Sequence, residues 1–194
     1  MVDLGGFGGS DRRDFFRGAV GRWVEDLVAR TEERLVQKRY MRPPGALSEI
    51  GFLAACTRCS ACVDVCPPRA IIRVPPDGGL AAGTPYIDTD RQPCTVCPDM
   101  PCAAACPTDA LTLPPAGWAG YRLAALELVV DRCVTYQGTP CGVCARACPV
   151  GETALGMDEG GHPVIRAEGC VGCGVCVRAC ITSPSSFQLH VAES

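Results

Sequence analysis

Over the first forty residues, apolar positions recur at helical spacing. Phe16, Val20, Trp23 and Leu27 form one stripe, Val24, Val28 and Leu35 an adjacent one, and charged residues lie between them. Asp11 with Asp14 can cap the start, and Arg42-Pro43-Pro44-Gly45 stops the pattern. The expected element is an amphipathic helix of about 28 residues, about 42 Å long, preceded by a flexible glycine-rich start over residues 1–10. Beyond residue 45 the pattern changes. Glu49–Ala55 reads as a short helix. After it the apolar runs are only a few residues long: Ile71–Val74, Tyr86–Asp88, Leu111–Leu113, Leu126–Asp131, Ala154–Met157, Pro163–Arg166 and Phe187–Val191. Their β-branched or alternating residues predict strands. Pro75-Pro76-Asp77-Gly78-Gly79 and Asp158-Glu159-Gly160-Gly161 predict the turns between them.

These runs are phased with the cysteines. The 16 cysteines fall into four groups. The first is Cys56-x2-Cys59-x2-Cys62-x3-Cys66-Pro67, and the second is Cys94-x2-Cys97-x4-Cys102-x3-Cys106-Pro107. The third is Cys133-x7-Cys141-x2-Cys144-x3-Cys148-Pro149, and the fourth is Cys170-x2-Cys173-x2-Cys176-x3-Cys180. The period makes an internal repeat of strand, cysteine loop, short helix and strand. Only the first repeat lacks its leading strand, since Glu49–Ala55 is helical there.

The spacing selects the chemistry. The first group is the bacterial ferredoxin run C-x2-C-x2-C-x3-C-P, and the fourth lacks only the proline. Closely spaced thiolates from one loop reach three irons of a [4Fe–4S] cube. The fourth cysteine, three residues further on, serves the neighbouring cluster, and the proline turns the chain out of the helix. A disulfide scaffold does not require such triplets and favours short secreted chains. Structural zinc uses C-x2-C hooks in pairs, and three cysteines in one loop exceed one hook. All sixteen cysteines are thus expected as iron ligands of four [4Fe–4S] clusters. Two units that exchange their fourth cysteines make one ferredoxin-like module, so four units make two. The pairing can be sequential, or nested with the first unit against the fourth.

Composition adds limits. Of the 194 residues, 47% are apolar and 20% charged, so the chain should fold. The formal charge of −3 argues against nucleic acid as a partner, and no uncharged run is long enough to cross a membrane. With −2 at each oxidised cluster site, the loaded chain carries about −11. Residues 56–194 hold 9 basic and 13 acidic side chains, against 9 and 8 in the first 55, so the charge sits in the cluster core. Aromatics make up only 6%, and a core so poor in large side chains leans on metal ligation. His162 and His190 are expected as surface or turn residues, Tyr136 as a cover over a cluster, and Trp118 and Tyr121 as core or interface anchors. No nucleophile–base pair, phosphate loop or nicotinamide fingerprint is present, so no catalytic residue is expected. The arginine pair Arg12-Arg13 looks like an export signal, but Arg22, Glu25 and Asp26 interrupt the apolar stretch that export requires. That interruption and the reduced thiols favour the cytoplasm.

Several segments together resemble the NapG/MauM ferredoxin-type family. They are Arg42-Pro43-Pro44-Gly45-Ala46, Gly83-Thr84-Pro85-Tyr86, Pro93-Cys94-x2-Cys97-Pro98-Asp99-Met100-Pro101-Cys102, Tyr136-Gln137-Gly138 and Cys170-Val171-Gly172-Cys173-Gly174. The resemblance covers roughly residues 40–194. It implies four-cluster accessory electron carriers of periplasmic nitrate reductase or methylamine utilisation, with cluster ligands carried over onto all sixteen cysteines. The arm departs from the family, whose members have an export signal. Similar four-cluster subunits serve cytoplasmic molybdenum- or tungsten-pterin enzymes with a flavin subunit.

The expected architecture is therefore α+β. Residues 1–45 form a flexible start and a helical arm, and residues 46–194 form a core of two ferredoxin-like modules. The expected role is an electron-transfer subunit between a Mo/W-pterin catalytic subunit and a flavin- or quinone-linked partner, with self-association through the arm as a further possibility. A zinc-binding structural or assembly protein is the competing reading.

Overall fold

Between Cys66 and Cys94 the chain has room for one return, and it makes a two-stranded ribbon. The structure, a computed structural model, describes residues 40–191. The expected amphipathic arm, the glycine-rich start and the arginine pair lie outside the described residues. In the ribbon, β1 (Ile71–Arg73) pairs antiparallel with β2 (Pro85–Ile87), with Ile71 opposite Ile87. Ile71 and Ile87 turn inward and are buried. The second half repeats the motif. There β4 (Leu155–Met157) pairs with β5 (Pro163–Ile165) across the expected turn, in which Asp158 Oδ1 accepts from the His162 N–H at 2.8 Å.

The second half also has an outer ribbon. Its leading strand β3 (Ala125–Leu128) pairs with β6 (Phe187–His190), which trails the last cysteine group. The first half keeps only a vestige of that pairing. Leu111–Leu113 is not a strand; Leu111 makes a single antiparallel bridge to Ala46. The cause is local. Gly45 sits at φ +81° against the backbone of Thr112, and helix α1 (Glu49–Ala55) begins shortly after Ala46, leaving no length for a ladder. The helix expected there thus replaces the strand, as the sequence indicates. The remaining helices are single turns: α2 (Ala61–Asp64), α3 (Pro101–Ala104), α4 (Val143–Ala147) and α5 (Val175–Ala179).

Tyr40, the first described residue, already belongs to the compact unit. Tyr40, Met41 and Arg42 are buried because Arg42 is a hub. Its guanidinium forms a two-point ion pair with Glu49 at 2.9 and 2.5 Å, and donates to Thr84 Oγ1 at 2.8 Å and the Pro85 carbonyl at 2.9 Å. It also stacks over the Phe52 ring, 4.7 Å from the centroid. One apolar core holds Phe52, Ile71, Ile87, Met100 and Leu111; a smaller one holds Leu155 and Phe187.

Candidate metal centres

Each cysteine group is shaped by residues in the left-handed backbone region. The residue two before the third cysteine has positive φ in all four groups: Ser60 at 73°, Met100 at 42°, Gly142 at 117° and Gly174 at 85°. Arg58, Val96 and Gly172 repeat this two residues after the first cysteine, and Arg69, Asp109 and Gly151 three residues after the fourth. Alternation of right- and left-handed residues turns successive N–H groups toward one concavity, the arrangement that receives anions and Fe–S clusters. Non-glycine residues there cost roughly 1–2 kcal/mol each, and such strain concentrates at functional sites.

The third cysteine of each group, Cys62, Cys102, Cys144 and Cys176, lies in the single-turn helix and is buried. The fourth comes where the helix has ended, so its side chain leaves in another direction. The consequence is an exchange. One cavity is lined by Cys56, Cys59, Cys62 and Cys106, and a second by Cys94, Cys97, Cys102 and Cys66. A third is lined by Cys133, Cys141, Cys144 and Cys180, and the last by Cys170, Cys173, Cys176 and Cys148. Every cysteine falls in one quartet, and each quartet takes three members from one group and the fourth from its neighbour. The pairing is sequential, not nested.

Each quartet lines one cavity. All sixteen cysteines are also free of disulfides. A cavity walled by four thiols, three from one loop, fits a multinuclear cluster.

Burial and crowding set the electrostatics. Burial, with neighbouring thiolates behind it, pushes the Cys62 thiol up to about 12. Burial raises Cys94 to about 12 as well, opposed by the Val96 N–H and aided by the charge of nearby Cys173. Cys102 and Cys173 rise to about 11 through burial. Such thiols ionise only with a cation to stabilise them. Cys180 goes the other way. Burial raises it, but hydrogen bonds from the Thr182 hydroxyl and the Ser186 and Thr182 N–H groups outweigh that and bring it to about 7. Thr182 Oγ1 is 3.2 Å from the Cys180 sulfur, and Thr135 Oγ1 is 3.2 Å from that of Cys133.

Other residues singled out in the sequence are placed as follows. Trp118 lines the second cavity and donates Nε1–H to the Cys97 carbonyl at 2.8 Å. Tyr121 packs edge-on against it and accepts from the Gly45 N–H, so both are core anchors. Tyr136 does not cover a cluster cavity. It stacks on His162 with centroids 4.1 Å apart, and Val134 and Thr135 face the third cavity instead. His162 sits in the β4–β5 turn, and exposed His190 is paired with Glu127 at 2.8 Å. Phe52, which lines the first cavity, and the hydroxyls of Thr135, Thr182 and Ser186 are site residues that the sequence reading missed.

The chain matches the 4Fe-4S dicluster domain family twice, over residues 55–110 and 128–181, which are the two pairs of cysteine groups. The ferredoxin-type protein NapG of Escherichia coli is 36% identical over 144 residues, covering 68% of this chain and 62% of that protein. The methylamine utilization ferredoxin-type protein MauM of Paracoccus denitrificans is 36% identical over 146 residues, 71% of this chain and 65% of that protein. MauM of Methylophilus methylotrophus is 40% identical over 121 residues, 61% and 53% of the two chains. The chain belongs to the NapG/MauM ferredoxin-type family. It spans less than two thirds of the length of these relatives. No solved structure gives a significant match. As a NapG/MauM-type protein with two dicluster domains and sixteen cysteines, it carries four [4Fe–4S] clusters. No described helix is long and apolar enough to cross a membrane.

Proposed function

We propose that this chain is an electron carrier whose sixteen cysteines ligate four [4Fe–4S] clusters, one in each quartet. It passes single electrons between a catalytic redox subunit, of the molybdenum- or tungsten-pterin class, and a flavin- or quinone-linked partner. The observation that carries the reading is the set of four cavities, each lined by four cysteines from two groups. A cluster bound there takes up and releases one electron. The chain's residues fix the potentials by burial and by hydrogen bonds to the ligating sulfurs. Relatives named as ferredoxin-type proteins support the carrier role, and the pterin and flavin or quinone partners rest on the family resemblance. Reduced thiols in this number suit the cytoplasm.

Iron and acid-labile sulfide analysis of anaerobically purified protein tests the reading. It expects about sixteen iron atoms per chain and a reduced spectrum accounting for four one-electron sites. Zinc with little sulfide would return the chain to the structural class, and a co-purifying pterin protein would identify the catalytic partner.

A further inference from the structure

Exchange of the fourth cysteines fixes two neighbours: the first quartet lies beside the second, and the third beside the fourth. It does not fix how the halves meet. Chain order would join the second quartet to the third, because the cysteine group that begins at Cys94 is followed along the chain by the one that begins at Cys133. The packing joins different partners. Cys94, Cys102 and Cys173 are buried in one continuous core together with Leu123, Ala124 and Val171. Leu123 N–H donates to the Val171 carbonyl at 2.8 Å, and Arg122 donates to the Cys170 carbonyl at 2.9 Å. Gly172 lies so close to the Ala124 carbonyl that a Cβ would not fit. Gly174 rests against the side chain of Thr89, just ahead of Cys94.

The third quartet has its core contacts elsewhere. Cys144 belongs to the second core with Leu155 and Phe187, and Cys180 packs against it. The fourth quartet alone has a buried cysteine in each core, Cys173 in the first and Cys176 in the second. In the first quartet Cys59 is exposed, as suits an end of a series.

Resting on the ligand assignment proposed above, we infer that the cluster sites are ordered first, second, fourth, third, with the two modules joined between Cys94 and Cys173. The second half is therefore reversed relative to chain order. An electron crossing the protein leaves the second site oxidised by one unit as it reduces the fourth, and the first and third sites face the external donor and acceptor.

Spin coupling in the fully reduced protein tests this order without any activity assay. A serine ligand keeps a cluster but lowers its potential, so that site stays oxidised and diamagnetic when the others are reduced. With Cys170→Ser, the third site should give an isolated, uncoupled electron paramagnetic resonance signal. With Cys141→Ser, no isolated signal should appear, because the fourth site remains coupled to the second. The opposite pattern, an isolated fourth site in Cys141→Ser, would overturn the order. Thr89→Phe, whose side chain meets Gly174 across the seam and lines none of the four cavities, is a second route that leaves every ligand and cysteine loop unchanged. It should force the seam apart and reduce the spectrum to two independent coupled pairs, and an unchanged spectrum would refute the Cys94–Cys173 junction. Iron content separates the two levels: a wild-type chain without four clusters overturns the carrier reading, whereas full iron with the wrong coupling pattern overturns only the order.

Discussion

The two halves of the protein build the same pair of cysteine quartets by different means. The second half has both ribbons and meets its left-handed positions with glycine at 142, 151, 172 and 174. The first half has one ribbon and a single bridge, and all six non-glycine residues with positive φ among the described residues lie in it: Arg58, Ser60, Arg69, Val96, Met100 and Asp109. In place of the outer ribbon it has helix α1, buried Phe52 and the Arg42–Glu49 pair. The comparison teaches that the ligand geometry is the constant and the scaffold is negotiable. A backbone strained by roughly 1–2 kcal/mol at each of several positions persists only where something overrides it, and thiolate–iron bonds are strong enough to do so.

Removing iron should therefore have the largest effect, and an uneven one. Anaerobic chelation is expected to unfold both halves, with the first losing order before the second. Hydrogen exchange during the titration reads this as earlier loss of protection around Ile71 and Ile87 than around Leu155 and Ile165. If the first half persisted longer, the strain argument would fail, and Arg42 with Phe52 would be the stronger restraint.

A smaller and more local effect is expected from Arg42→Met. The change keeps the apolar stem but strips Glu49, Thr84 and the Pro85 carbonyl of their common donor. Breaking a fully buried pair costs about 3–5 kcal/mol. Glu49 keeps about a third of its exposure, so solvent recovers part of that, and about 2 kcal/mol is the expected loss. The denaturation midpoint of the first half should fall while the second half keeps its own. Equal destabilisation of both halves would show that the hub supports the whole body and not the missing ribbon.

What could be read from the sequence follows from the range of the interactions. The cysteine spacings, the helix at Glu49–Ala55 and the β1–β2 and β4–β5 hairpins depend on neighbours a few residues away, and they were legible. Leu111–Leu113 has the composition of a strand but finds only the single bridge to Ala46, because the turn at Gly45 and the start of α1 leave no length for a ladder. Sequential and nested pairing give identical spacings, so only the three-dimensional exchange of Cys66 with Cys106 and of Cys148 with Cys180 decides between them. Arg42 looked like a helix terminator because its partner Thr84 is 42 residues away. Tyr136 looked like a cluster cover from its place in the third-group insert. The ring it meets belongs to His162 in a different hairpin.

The finest difference between the halves concerns the sulfurs. The third quartet receives hydroxyl hydrogen bonds on two sulfurs, from Thr135 to Cys133 and from Thr182 to Cys180, both at 3.2 Å. Ser186 reinforces the second, its N–H at 3.4 Å from the same sulfur and its hydroxyl 2.9 Å from that of Thr182. In the first half the hydroxyls of Thr95 and Thr108 stand off at 3.8 Å from Cys97 and Cys106. An iron-bound thiolate has no proton to give, so the threonines must donate. Their bonds strengthen as the site gains an electron and becomes more negative, which favours the reduced state and raises the potential. Thr182→Val keeps the shape and removes the donor. If the bond is worth on the order of 1 kcal/mol more in the reduced state, the third site should fall by about 40 mV for a one-electron couple, while the first two stay fixed. Potentiometric titration followed by electron paramagnetic resonance resolves this, and Thr182→Ser should restore most of the shift. An unchanged third midpoint would mean that the hydroxyl binds both oxidation states alike, and the halves would then differ in scaffold but not in redox tuning.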